Sequence, residues 1–236
     1  MKLCDLHTHV LPGEDDGAPT MEYALDMLRN AAASDVALLA TTPHFGGPYG
    51  YHPNWERGFE ALRQAAADIP VQLVSGAELW VDTPGLEALE KGLVPTLNGS
   101  AYLLVEFAPN TPGRAFLPEL ERIQTLGYRP LVAHPERYMA VCQSPRLITD
   151  WLDMGCHVQL TGDSIMGAYG KTVQQTATTL LKQGLVACIA SDAHGRSRRS
   201  NYLLDVYDHL QVHYDKHYAG CLLYENPTAI LHGEEV

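Results

Sequence analysis

Histidines and carboxylates recur along this chain where apolar stretches end: His7, His9, His44, Glu78, Glu106, His134, Asp192 and His194, with an acidic turn at Glu14-Asp15-Asp16-Gly17. Imidazole and carboxylate are ligands for divalent metals, and several of them converging can hold more than one ion. His7-x-His9 places two imidazoles on one side of a strand, because side chains alternate with a period of two. Alone, such a pair is equally well two unrelated surface histidines. Glu78, in Ser-Gly-Ala-Glu, taken singly reads as a solvated glutamate beyond its strand. Glu106 is harder to dismiss, since it interrupts the apolar run Ala-Tyr-Leu-Leu-Val-Glu-Phe, and a buried carboxylate needs a partner. The acidic turn can supply an oxygen ligand, and spacing leaves open which aspartate does so.

What must position these groups is an alternation of strand-like and helix-like segments. Short β-rich stretches fall at about Lys2–Leu6, Val36–Thr41, Val71–Ser75, Ala101–Phe107, Pro130–Ala133, Cys156–Leu160 and Val186–Ala190. Helical spacing occupies Thr20–Ala33, Trp55–Ala67, Phe116–Leu126, Arg146–Met154 and Lys171–Gln183. Such alternation predicts parallel strands with right-handed helical crossovers. The polar groups sit at the strands' C-terminal ends, which a parallel barrel gathers on one face and an open sheet spreads apart. We therefore expect an α/β fold, a (β/α) barrel of seven strands rather than the usual eight.

With 236 residues, no internal repeat and no Gly/Ser linker, one domain over 1–236 is expected. No apolar run approaches membrane-spanning length, and no signal-type segment precedes the first histidines. The five cysteines are scattered, without a C-x-x-C pair, and read as buried free thiols of a cytoplasmic protein. A net charge of -12 argues against a nucleic-acid partner; Arg196, Arg198 and Arg199 form the one local basic cluster. None of the cysteines has an arginine six positions later, which excludes a cysteine-based phosphatase loop. An amidohydrolase barrel also opens on H-x-H but needs a lysine at a later strand end, and Lys2, Lys91, Lys171, Lys182 and Lys216 are not so placed.

The ordered pieces Asp5-Leu-His-Thr-His9 with Asp15-Asp16-Gly17-Ala18, Ala40-Thr-Thr-Pro-His44, Gly76-Ala-Glu78, Leu104-Val-Glu-Phe107, His134-Pro-Glu-Arg-Tyr138, Gln159-Leu-Thr with Ser164, and Ala190-Ser-Asp-Ala-His194 carry a resemblance. Together they resemble the polymerase and histidinol phosphatase (PHP) superfamily, and within it the bacterial CpsB, CapC and YwqE-like protein tyrosine phosphatases. The resemblance implies a distorted (β/α)7 barrel and three divalent ions, manganese in this branch with iron or zinc as alternatives. It places His7, His9, Glu78 and Asp192 on the first ion, Glu78 as bridge with Glu106 and His134 on the second, and Asp16, His44 and His194 on the third. It selects Asp16 over Asp15, and puts Arg137 and Arg199 on the substrate phosphate, with the adjacent Arg198 as the alternative to Arg199.

Three ions bring roughly six positive charges and four carboxylates return four, a balance suited to a phosphate dianion. The expected chemistry is in-line attack on phosphorus by a hydroxide whose pKa a cation has lowered. The resemblance implies a phosphotyrosine protein as substrate, specifically a tyrosine autokinase of capsule or exopolysaccharide export. Two rivals remain: a small-molecule phosphatase acting on histidinol phosphate or a sugar phosphate, and a regulatory module that binds without catalysis. His209, His213 and His217 recur every fourth residue and read as a packed or solvated helix stripe, or as a second metal site. Tyr49, Tyr51 and His52 lie in a Gly/Pro-rich loop that either lines the entrance or is surface only.

Overall fold

The structure is a computed structural model that describes residues 2–51, 54–195 and 203–236. Its strands are β1 (Leu3–Thr8), β2 (Val36–Thr41), β3 (His44–Phe45), β4 (Gln72–Ser75), β5 (Glu78–Trp80), β6 (Tyr102–Glu106), β7 (Arg129–Ala133), β8 (His157–Thr161) and β9 (Cys188–Ala190). Its helices are α1 (Met21–Ala33), α2 (Trp55–Ala65), α3 (Thr83–Glu90), α4 (Phe116–Thr125), α5 (Met139–Gln143), α6 (Leu147–Asp153), α7 (Gly162–Ile165), α8 (Lys171–Lys182), α9 (Leu203–His213), α10 (Lys216–Gly220) and α11 (Asn226–His232), with a π turn at Cys221–Glu225 joining the last two. Every strand pairing is parallel, in the orders β1-β2-β4 and β3-β5-β6-β7-β8-β9.

These two sheets are one interrupted ring. β2 continues into β3 across Thr42-Pro43, where proline removes a ladder donor, and β4 continues into β5 across Gly76-Ala77. The end of β9 returns to β1 through the Thr8–Ala193 bridge and the 2.9 Å hydrogen bonds from Asp192 N to His7 O and from His9 N to Ala193 O. Counting each interrupted pair once leaves seven strand positions among the described residues, a distorted α/β barrel.

The interruptions move two residues from where the sequence put them. His44 and Glu78 open the short strands β3 and β5 rather than trailing β2 and β4, and they are register partners in a parallel pair. Their adjacency is therefore built into the backbone. Apolar side chains of the strands divide between two layers: Leu103, Val105, Val158, Leu160 and Ile189 pack against the helices, while Tyr102, Leu104, Leu131, Cys188 and Ala190 join Ile230 and Leu231 in a separate cluster. Glu106 continues the Tyr102–Leu104 row of β6, and Asp192 the Cys188–Ala190 row of β9, at the period of two. The same strand face thus carries apolar filling at one end and carboxylates at the other.

The helical spacing of the sequence does not mark α3, α5 or α7, and points to helix in the C-terminal region only through the histidine stripe. Asp82 caps α3 by accepting from Gly85 N at 2.7 Å, with proline in the first turn, a start signal legible in Asp-Thr-Pro. α9 to α11 complete the C-terminal region. Here the histidine stripe does not stand as a unit: His209 and His213 share α9 with ring centroids 4.3 Å apart, but His217 lies beyond Asp215, which caps α10. The cysteines are free as expected, though Cys142 and Cys221 are only partly buried. No helix among the described residues is long and apolar enough to cross a membrane.

Candidate metal centre

His7, His9, Asp16, His44, Glu78, Glu106, His134, Asp192 and His194 come together at the C-terminal ends of the strands, and all but Asp16, His194 and Glu106 are buried. Glu78 is the hub. Its Oε2 lies 3.2 Å from His7 Nε2, 3.3 Å from His9 Nε2 and 3.1 Å from His44 Nδ1, and its Oε1 lies 2.9 Å from His134 Nε2. Asp192 Oδ1 approaches His7 Nε2 and His9 Nε2 at 3.5 and 3.4 Å. Glu106 stands 3.5 Å from His44 Nδ1 and 3.7 Å from His134 Nε2, while Asp16 is 3.2 Å from His194 Nε2 and 3.6 Å from His44 Nε2.

Atoms suited to one ion cluster in three groups: His7, His9 and Glu78; His44, Glu78 and Glu106; and His9, Asp16, His44 and His194. His9 and His44 each belong to two of these groups, a sharing that the sequence did not suggest. Among the described residues, Glu78 Oε2, Glu106 Oε2 and His44 Nδ1 are buried without a hydrogen-bond partner. His7 and His9 also turn their Nε2 atoms toward each other at 3.2 Å. Buried donor atoms gathered at ligand-to-ligand spacing, several of them without a hydrogen-bond partner, are what a set of metal ligands looks like. The residues present therefore fit divalent cations.

Neighbouring groups fix the imidazole orientations. His9 Nδ1 donates to Asp15 Oδ2 at 2.6 Å, His7 Nδ1 to Gln159 Oε1 at 3.0 Å, and His194 Nδ1 to the Asp192 carbonyl at 2.9 Å. Each bond leaves Nε2 with its lone pair toward the cluster. Asp15 also accepts from His44 N and Gly17 N, both at 2.9 Å, so one carboxylate ties three parts of the site together. Gly17 is obligatory there, since a Cβ would overlap the His9 carbonyl oxygen. Asp5, buried in β1, accepts from Ser191 N and Oγ at 3.0 and 2.6 Å and anchors the segment leading to Asp192. Spacing alone does not reveal these supporting roles of Asp15, Gln159 and Asp5; a carboxylate two positions before a candidate histidine is the sequence signal for Asp5. Asp15→Asn is expected to leave the fold intact and weaken metal retention by about 10- to 100-fold, measured by competition with a chelating dye.

Electrostatics separate the carboxylates. Burial opposes charge on Glu78, but the imidazoles of His7 and His44 and the bond from His134 hold it well below the usual carboxylate range. Burial, together with the charges of Glu78 and Asp192, pushes Glu106 up to about 9. Burial and Arg137 push His134 down to about 4, keeping it neutral, as a ligand must be. His134 and Asp192 have positive φ of 34° and 52°, uncommon for non-glycine residues, and this strain falls on two of the site's own side chains.

Arg137 crosses the site's edge. Its Nη1 donates to Asp192 Oδ2 at 2.7 Å, and the guanidinium carbon lies 4.1 Å from the centroid of the Tyr169 ring. Its Nε and Nη2 are buried and lack a partner among the described residues. Two unsatisfied guanidinium N–H groups are a receptor for an oxyanion. Beside it Glu136, fully buried, accepts from Thr161 N at 3.0 Å. Tyr49 stacks on His44 with centroids 4.2 Å apart and planes 6° from parallel, and burial and the nearby charge of Asp16 push its hydroxyl up to about 12; Tyr51 instead meets the edge of Phe45. Arg196, Arg198, Arg199 and His52 lie outside the described residues.

Fold and site together define a parallel α/β barrel with a polynuclear metal-type cluster at its C-terminal face. Residues 3–232 match the family described as "Capsular polysaccharide synthesis, CpsB/CapC", and the chain belongs to that family. Tyrosine-protein phosphatase CpsB of Streptococcus pneumoniae is 30% identical over 97% of this chain and 98% of its own length. Tyrosine-protein phosphatase YwqE of Bacillus subtilis is 30% identical over 84% of this chain and 80% of its own. A crystal structure from the study of B. subtilis YwqE and S. pneumoniae CpsB, described as "unique metal-dependent tyrosine phosphatases", superposes with a TM-score of 0.91 at 27% identity, covering 99% of this chain and 96% of that one. The phosphotriesterase homology protein of Escherichia coli shares the fold alone, with a TM-score of 0.64 at 12% identity over 98% of both chains.

Proposed function

We propose that this chain is a metal-dependent phosphatase that hydrolyses phosphotyrosine in a protein substrate. The observation that carries the reading is the Glu78 carboxylate, with Oε2 3.1–3.3 Å from three imidazole nitrogens, beside an arginine with two buried, unsatisfied N–H groups. Three divalent ions, manganese or alternatively iron or zinc, would be held by His7, His9, Glu78 and Asp192; by Glu78, Glu106 and His134; and by Asp16, His44 and His194. Bound there, they supply positive charge for the phosphate oxygens and lower the pKa of water.

The chain's own groups do the rest. Arg137 presents Nε and Nη2 to the phosphate, and Asp192 holds its third nitrogen so that the fork cannot swing away. Arg199 is assigned as a second phosphate arginine. Asp15, Gln159 and the Asp192 carbonyl fix the imidazoles in advance, so no reorganisation is needed as charge develops. Water attacks phosphorus, the bond to the tyrosyl oxygen breaks, and the phenol, with a pKa near 10, leaves more readily than an alkyl alcohol.

The family's description points to capsular polysaccharide synthesis, and we assign as substrate a bacterial tyrosine autokinase of capsule or exopolysaccharide export, met in the cytoplasm by a single domain spanning residues 1–236. Turnover of a phosphotyrosine peptide should exceed that of histidinol phosphate by at least about tenfold in kcat/KM, a difference of roughly 1.4 kcal/mol in transition-state binding. Preference for histidinol phosphate would point to a small-molecule phosphatase, and no turnover of either to a binding module.

A further inference from the structure

Outside the barrel centre, one other group of described side chains has the chemistry and spacing of a metal site: His217, Cys221 and Glu225, whose ligand atoms all lie within 4.8 Å of one another. Cys221 Sγ is 3.7 Å from His217 Nε2 and 3.8 Å from Nδ1, and 3.3 Å from Glu225 Oε2. Tetrahedral bonds of about 2.0–2.3 Å to nitrogen, oxygen and sulfur set ligand atoms roughly 3.3–3.7 Å apart. His217 and Glu225 are exposed and Cys221 is half-buried, so an ion and a completing water have access.

The backbone explains how residues spaced by four and by eight share a face. His217 lies in α10 and the other two in the π turn. Four residues of α-helix overshoot one turn of 3.6, so over eight residues a regular helix carries the third side chain away from the first. A π turn, with its wider i→i+5 ring, makes four residues fall short of one turn. The two drifts oppose each other, and Glu225 returns over Cys221 and His217. Burial of Leu222 and Leu223 beneath the turn holds this geometry against the barrel. Such π turns are rare and fall frequently at functional sites.

We propose that His217, Cys221 and Glu225 form a second, mononuclear site for a borderline-soft divalent ion of the zinc class, separate from the barrel centre. Thiolate, imidazole and carboxylate together suit zinc, and the barrel cluster holds no sulfur ligand. Without a cation, partial burial and the neighbouring charges of Glu225 and Asp215 hold the thiol above its ordinary range; a bound cation reverses that balance. Ligation would pin the junction of α10 and α11, where the C-terminal segment packs on β1 and β9.

Cobalt(II) is the probe, added to the full-length protein after its barrel centre has been saturated with manganese. A cobalt–thiolate charge-transfer band should rise in the near ultraviolet and saturate at about one ion per chain. It should vanish in Cys221→Ser. His217→Ala and Glu225→Gln should each weaken the apparent cobalt affinity at least about tenfold. Absence of the band in the wild-type protein, or its survival in Cys221→Ser, overturns the proposal. So does a wild-type titration in both His217→Ala and Glu225→Gln, which would mean a lone thiol.

Discussion

Glu78→Gln should lower turnover of a phosphotyrosine peptide by at least about a thousandfold, the equivalent of roughly 4 kcal/mol of transition-state stabilisation. No other of the described residues has its reach: one oxygen faces His7, His9 and His44, and the other faces His134. Glutamine keeps the volume and one acceptor oxygen but removes the charge that lets a carboxylate bridge two ions. Metal analysis of the variant should show fewer divalent ions per chain than wild type. The barrel should still fold, because its strands are held by backbone pairing and by apolar layers that Glu78 does not join. Full turnover with undiminished metal content would remove Glu78 from the centre of the site.

Arg137→Ala should act differently, reducing kcat/KM by about 10²–10³ while leaving metal content near wild type. The guanidinium offers Nε and Nη2 to an oxyanion and uses Nη1 to grip Asp192. Arg137→Lys separates those contributions: a lysine restores one positive charge without the planar fork, so it should recover only a small part of the loss. Inhibition by the inorganic phosphate product should weaken in both variants. An Arg137→Ala enzyme with unaltered kcat/KM and unaltered phosphate inhibition would show that the unsatisfied N–H groups serve no substrate.

Most of the barrel was legible because parallel strands buried on both faces are short, β-rich and regularly spaced, and because polar residues at their ends break that regularity. Glu106 stood out as a carboxylate within an apolar run, and the structure places it on the row of Tyr102 and Leu104. What escaped had weak local signals. Pro43 and Gly76 divide two strands, so that His44 and Glu78 are neighbours by register and not merely near one another at strand ends. The resemblance selects Asp16 as the ligand, and Asp15 is the carboxylate that orients His9 and braces His44; such a role depends on a fold that brings His44 back to the acidic turn. The four-residue spacing of His209, His213 and His217 suggested one helix face, but Asp215 begins a new helix between them. His217 accordingly groups with Cys221 and Glu225.

If divalent ions in this cluster drive hydrolysis of a phosphorylated tyrosine, the decisive measurement is to strip the purified protein with a chelator and follow phosphotyrosine-peptide turnover before and after manganese is restored. Glu106, pushed up to about 9 while metal-free, must give up its proton to become a ligand, so reloading near neutral pH should release protons along with restoring activity. Turnover should disappear on stripping and return with about three ions bound per chain. Turnover unchanged by chelation and by manganese would rule out metal-dependent hydrolysis at this cluster.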